Sequence, residues 1–224
     1  MTEEAQFQRK KDLIRKRFLK YTRKAFRMLP QLDKPQILDV GCGSGFPTME
    51  LARLSNGEVT GMDIDEELLG KLRQRIMETG MSDRVKVLKC SITEMQFPDE
   101  SFDIIWAEGS IYVVGFKRAL QEWKRFLAPD GFMALHDEKG DVGEKLAQIS
   151  GCGYELLGYF ILDQDVWWKE YFGPLEKLIN EAQTKYADNP GVLELVHSAK
   201  GELDMFKKNP QRNSSAFFVM KKKI

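Results

Sequence analysis

The chain has 224 residues, and its 34 lysines and arginines are matched by 34 aspartates and glutamates, so the formal net charge is zero. That length holds one domain with room for an appendage, and a hydrophobic share of 42% allows a sizeable core. Balanced charge gives no global drive toward nucleic acid or an anionic surface, and no apolar run is long enough to span a bilayer.

From the N-terminus, residues 3–28 read as one helix, with Ile14, Phe18, Tyr21, Ala25 and Leu29 on one stripe and basic residues on the other faces. "LPQLDKP" ends it. Short apolar strands then alternate with amphipathic helices: "QILDVG", "FPTMELARL", "EVTGMDI", "DEELLGKLRQRIMETG", "RVKVLKC", "FDIIWAEG", "GFKRALQEWKRFL" and "GFMALHDE". This alternation indicates a mainly parallel sheet with helices on both faces. Beyond it the pattern changes. "YELLGYFIL" and "SSAFFVMKK" are strand candidates that enclose two helical stretches, roughly residues 165–186 and 190–207. The charged N-terminus is no signal peptide, and Cys42, Cys90 and Cys152 lack metal-ligand or redox spacing. We therefore expect no metal site, reduced thiols and a cytoplasmic protein.

The stretch "ILDVGCGSGF" raises the chemical question. Gly41, Gly43 and Gly45 stand where a strand hands over to a helix, and glycine weakens both elements. The expected reason is a ligand that approaches the backbone and uses its N–H groups, with an anionic part near the helix N-terminus. Asp63 ends the next strand about twenty residues on, where a carboxylate suits the two hydroxyls of a ribose. The loop is neither G-x-G-x-x-G nor a phosphate-binding G-x-x-x-x-G-K-[ST].

Taken together, "LDVGCGSG", "VTGMDIDEELL", "SITEMQFPDESFDIIWAEG" and "LAPDGFMAL" resemble, in order and spacing, the motifs of class I S-adenosylmethionine-dependent methyltransferases. The likeness runs from about Ile37 to Asp137. It is nearest to the small-molecule group that includes ubiquinone- and menaquinone-pathway C-methyltransferases (types 11 and 25). The resemblance implies a Rossmann-like α/β fold, doubly wound, with a mainly parallel seven-stranded sheet and an antiparallel last strand. It implies a single domain: a lid helix at residues 1–30, a cofactor-binding core at 36–162, a helical insertion over the acceptor site at 163–208 and the last strand at 214–224.

Residue by residue, the resemblance places Asp39 and the loop Gly41, Cys42, Gly43 and Gly45 at the aminocarboxypropyl end of S-adenosylmethionine. Asp63 would hold the ribose hydroxyls and Ile64 would cover one adenine face. The family's usual Gly-Asp-Ala is Cys90, Ser91 and Ile92 here, so the adenine contact falls to the Ser91 hydroxyl or the Ile92 backbone. Ala107 and Glu108 would line the space between donor and acceptor. After transfer the cofactor leaves as S-adenosylhomocysteine.

Candidates for acceptor chemistry are Glu108, Tyr112 and His136. Glu108 can be a base, a partner for a cationic substrate, or only a cap on the next turn. Tyr112 follows in the same loop, and His136 is a residue type that titrates near neutrality. Trp167, Trp168, Tyr171 and Phe172 can form a cage for an amine around Glu170, although such clusters are more often core. The basic helix reads as a solvated face of a lid whose Ile14–Phe18–Tyr21 side packs over the cofactor. The expected function is methyl transfer to a small molecule. RNA or protein methylation, a silent binding module and a nicotinamide dehydrogenase are the alternatives. "AEGSIY" in place of an Asn/Asp-Pro-Pro-aromatic motif speaks against nucleobase N-methylation, the intact glycine loop with Asp63 against the silent module, and the loop pattern with the lack of a Tyr-x-x-x-Lys signature against the dehydrogenase.

Overall fold

The computed structural model describes residues 2–223. The chain forms two compact units, Met1–Lys20 with Ile161–Ser215 and Tyr21–Phe160 with Ala216–Ile224.

The N-terminal segment begins with α1 (Glu3–Arg15), where the Thr2 hydroxyl accepts from the Ala5 N–H and Glu3 and Glu4 face the positive end of the helix dipole. One 3-10 turn, Lys16–Phe18, separates it from α2 (Leu19–Phe26). The single expected helix is therefore interrupted. Arg15, Lys16, Arg17 and Lys20 crowd like charge onto adjacent turns there, which weakens a regular helix.

The core unit then alternates as expected: β1 (Gln36–Val40), α3 (Phe46–Leu54), β2 (Glu58–Asp63), α4 (Glu66–Thr79), β3 (Val85–Lys89), β4 (Phe102–Glu108), α5 (Phe116–Glu122) and β5 (Leu127–Glu138). Helix α6 (Val142–Gly151) and strand β6 (Tyr154–Leu162) follow. Helix α6 has no counterpart among the expected elements. Gly143 and Gly151 dilute its pattern, and Ile149 is the residue it buries. Its start signal was in the sequence, since the Asp141 side chain accepts from the Glu144 N–H.

The last strand is β7 (Ser215–Lys222), and the seven strands lie in the order β3-β2-β1-β4-β5-β7-β6. Neighbours from β3 to β5 are parallel. The last strand runs antiparallel in an otherwise mainly parallel sheet. Because β1 is flanked by β2 on one side and β4 on the other, the switch point lies between β1 and β4.

Alternation along the strands sorts residues to two faces. Leu38 and Val40 of β1, Ile105 and Ala107 of β4, and Met133 and Leu135 of β5 join one buried cluster with Trp123 and Phe126. Asp39, Trp106, Glu108 and His136 consequently share the opposite face. Strand register agrees, pairing Asp39 with Trp106 and Glu108 with His136. On that face the Phe26 ring of α2 lies 6.3 Å from Trp106.

The other unit is helical. It contains α7 (Gln164–Trp167), a single π turn at Trp168–Phe172, α8 (Gly173–Lys185) and α9 (Pro190–Lys208). Tyr171, Phe172, Leu175 and Phe206 form its core with Phe7 of α1. Phe18 packs there too, its ring 4.6 Å from Trp167. The aromatic cluster is thus core and not a cage. Glu170 is buried and already bonded, to Arg17 at 3.1 Å and Lys20 at 2.7 Å. Lys11 pairs with Glu202 in the same unit. Part of the basic N-terminal face is therefore neutralised by its own chain and not simply solvated.

Candidate functional site

The glycine loop leaves β1 and is fastened from three sides. Gly41 and Cys42 both donate their N–H to the Met62 carbonyl, at 2.8 and 2.9 Å. The Ser110 hydroxyl donates to the Val40 carbonyl at 2.6 Å. Gly41 has φ +70°, and a Cβ there would come within 2.3 Å of the Ser110 Cβ. Only glycine meets both demands. Arg75 of α4 donates to the Ser44 carbonyl at 3.0 Å and lies over the Phe46 ring.

These bonds correct one expectation. The N–H groups of Gly41, Cys42 and Gly43 are used within the protein and are not held out to a ligand. Gly43 donates to the Asp63 carboxylate at 2.8 Å. What Gly43 offers is space, since no atom lies within 4 Å of where its Cβ would be. Gly45 is the N-cap of α3, with Pro47 in the first turn.

Asp63, at the end of β2, accepts twice: Gly43 N–H on one oxygen and Asp65 N–H on the other, the latter at 2.9 Å. A carboxylate has about four lone-pair sites, so each oxygen keeps one acceptor position after these bonds. The side chain is fixed in place and still able to accept two hydroxyls. Ile64 beside it is 66% exposed, an apolar side chain standing open at the strand end.

Two more carboxyls lie at the switch point. Asp39 is buried, accepts from the Thr48 hydroxyl at 2.6 Å, and is pushed up to about 7 by burial, with the Thr48 bond opposing and Asp63 adding to the rise. Glu108 accepts from the Trp106 indole N–H at 2.8 Å. Burial pushes it up to about 7 as well, against the opposing effects of Trp106 and Thr22 and with a contribution from Asp39. The Thr22 hydroxyl is near enough to favour the ionised form yet makes no hydrogen bond of proper geometry. Among the described residues, no basic side chain pairs with Asp39 or Glu108.

The remaining expected residues divide. His136 is buried, with its ring stacked 4.4 Å from Phe217. Burial first, and Lys145 second, hold it down to about 4, so it stays neutral and does not titrate near pH 7. Ala107 is fully buried with its side chain in the cluster on the other face, which removes it as a lining side chain. Ser91 shares a hydrogen bond with the Thr93 hydroxyl at 2.8 Å and also accepts the Thr93 N–H, a local turn that occupies much of its capacity. Ile92 packs its side chain against the core. Tyr112 is 74% exposed, in the turn after β4. Thr22, Thr48, Arg75, Trp106 and Ser110 were not singled out in the sequence. Trp106 and Ser110 lie in quoted stretches, but the partners that give these residues their roles are set by the fold or by strand pleating.

The arrangement fits S-adenosylmethionine. Open space over Gly43 admits the ligand chain, the spare acceptors of Asp63 suit a ribose, and Ile64 is apolar and open. A buried carboxyl without a cationic partner, Asp39, is a complement for the ligand's ammonium. No group of three or more His, Cys, Asp or Glu that could hold a metal occurs among the described residues.

Comparison with known proteins agrees with this geometry. Residues 37–131 match the family model described as "Methyltransferase domain". The matched segment contains the glycine loop, Asp63 and Glu108. The chain is 32% identical over 111 residues to the 27-O-demethylrifamycin SV methyltransferase of Amycolatopsis mediterranei, a match that covers 49% of the chain and 41% of that protein. The chain spans 27% to 52% of the length of such curated relatives. Its fold matches the [4+2]-cyclase SpnF with a TM-score of 0.74 at 21% identity, covering 92% of this chain and 81% of that one. It also matches a Geobacter sulfurreducens S-adenosylmethionine-dependent methyltransferase, determined with S-adenosylhomocysteine, with a TM-score of 0.70 at 18% identity, covering 91% and 89%. No helix among the described residues of this chain is long and apolar enough to cross a membrane.

Proposed function

We propose that this chain transfers a methyl group from S-adenosylmethionine to a small-molecule acceptor. The observation that carries the reading is the Asp63 clamp. One carboxylate holds the open glycine loop through Gly43 and keeps one acceptor position on each oxygen for the hydroxyls of a ribose. The matched curated relative with a rifamycin-type substrate supports the small-molecule acceptor.

The bound cofactor supplies a methyl group already activated by its sulfonium. The chain's own part is to bind, orient and desolvate. Asp39 neutralises the ammonium end, Asp63 fixes the ribose, and Ile64 shields the base. Glu108 stands at the end of β4 with Thr22 of α2 beside it, where an acceptor atom must be held about 3–3.5 Å from the methyl carbon. His136 is neutral, so its part is to fill and polarise that wall of the crevice and not to carry a proton.

Acid precipitation after incubation with methyl-labelled S-adenosylmethionine and a cell extract tests the reading. Label should remain in the soluble, low-molecular-mass fraction. Label that precipitates with RNA or protein would replace the small-molecule acceptor by a macromolecule.

A further inference from the structure

At the C-terminal ends of β1 and β4 the core unit buries acid without base. Glu108 has its Oε1 fixed by the Trp106 indole N–H, and unlike Asp39 the residue keeps part of its surface open. Beside it the Thr22 hydroxyl is fully buried and makes no hydrogen bond. The nearby basic groups of the unit are committed: Arg23 to Glu50, Lys145 to Asp137, Lys24 over the Phe160 ring, and Arg75 to the Ser44 carbonyl. His136, in register with Glu108 on the same face, is stacked on Phe217 and uncharged. Trp106 and Thr22 thus bring neutral donors to Glu108, and what the chain does not supply there is a positive charge.

We infer that the acceptor of the methyl group is an amine, bound as its ammonium against Glu108. This rests on the methyl-transfer reading above. An alcohol or phenol brings a donor but no charge to the carboxylate. A carboxylate or phosphate at the reacting end meets the Glu108 carboxylate with like charge. With the amine, the step balances. The ammonium gives one proton to the Glu108 carboxylate, and the freed nitrogen lone pair attacks the methyl carbon. The sulfur–carbon bond breaks with its electron pair going to sulfur. The products are the methylated ammonium and S-adenosylhomocysteine, and Glu108 returns its proton to water.

The test uses the full chain, labelled with nitrogen-15 and saturated with S-adenosylhomocysteine, and follows the Trp106 indole N–H. The probes are butylamine, charged at pH 7.5, and its neutral analogue butan-1-ol. Butylamine should shift the Trp106 signal saturably. Butanol, and butylamine against Glu108→Gln, should bind about tenfold more weakly, the loss expected for a charge-assisted hydrogen bond in a buried site. Thr22→Val, which keeps the carboxylate, should weaken butylamine by a smaller factor. Equal response to amine and alcohol, an amine response that survives Glu108→Gln, or no response in the saturated protein overturns the inference. Failure of S-adenosylhomocysteine itself to bind is seen before any amine is added, and it removes the methyl-transfer reading and this inference with it.

Discussion

Asp39 and Glu108 bind their protons more tightly in the folded chain than in the unfolded one, and this fixes the sign of a pH effect. The ordinary carboxylate range is near 4, while burial raises both to about 7 in the fold. Their contribution to stability is therefore complete below the unfolded range and is lost as pH rises through 7. His136 acts in the other sense. Its value falls to about 4, so its contribution is present above its unfolded value and is lost as pH drops through the acid range. Glu108→Gln removes one titrating carboxyl and keeps its shape. The decline in melting temperature between pH 5 and pH 8 should be shallower in that variant than in the parent chain. An unchanged slope would show that Glu108 is ionised in the fold at all these values.

At the scale of elements, the glycine loop and the helical core make separate predictions. Gly41→Ala forces a Cβ against Ser110 and holds alanine at positive φ, at a cost of about 3 kcal/mol. Ser110→Gly removes the colliding Cβ, although it also removes the hydroxyl bond to Val40. In that background Gly41→Ala should cost about 1–2 kcal/mol, the conformational part alone. Equal costs in urea melts of the two backgrounds would mean that the loop yields and the contact does not constrain it. In the helical unit, Glu170 is held below the usual carboxylate range. Its burial acts to raise it, but hydrogen bonds and charge from Lys20 and Arg17 together prevail. Glu170→Ala should destabilise the chain by about 2 kcal/mol, less than for a wholly buried pair because Arg17 and Lys20 stay half exposed. No change in the urea midpoint would show the pair to be incidental.

Across the whole molecule, what the sequence revealed follows the range of the interactions involved. Strand, glycine turn and helix are local, so β1, the loop and α3 were readable from "QILDVGCGSGFPTMELARL", as was the stop of α4 at Gly80. Helix α6 escaped because two glycines and a single buried residue leave little periodicity. The break between α1 and α2 escaped because one apolar stripe runs across it. In the site, Asp39, Asp63 and Glu108 were recognisable as strand-end carboxylates. Where the loop N–H groups go was not, since Met62 and the Asp63 carboxylate take them from about twenty residues away. The neutrality of His136 was also hidden, because its causes are burial in the fold and the charge of Lys145. Residues 168–172 showed their composition but not their partners. Only the fold reveals that Glu170 is already matched by two cations of the N-terminal segment.

The central claim is that the glycine loop and Asp63 form the donor site, and calorimetric titration with S-adenosylhomocysteine tests it most directly. The full chain should bind it at micromolar concentration and ignore NAD. Asp63→Ala should weaken binding by at least about tenfold, since it removes the ribose acceptors and frees the loop at Gly43. A folded protein that does not bind S-adenosylhomocysteine, or binds it equally well without the Asp63 carboxylate, would contradict the account.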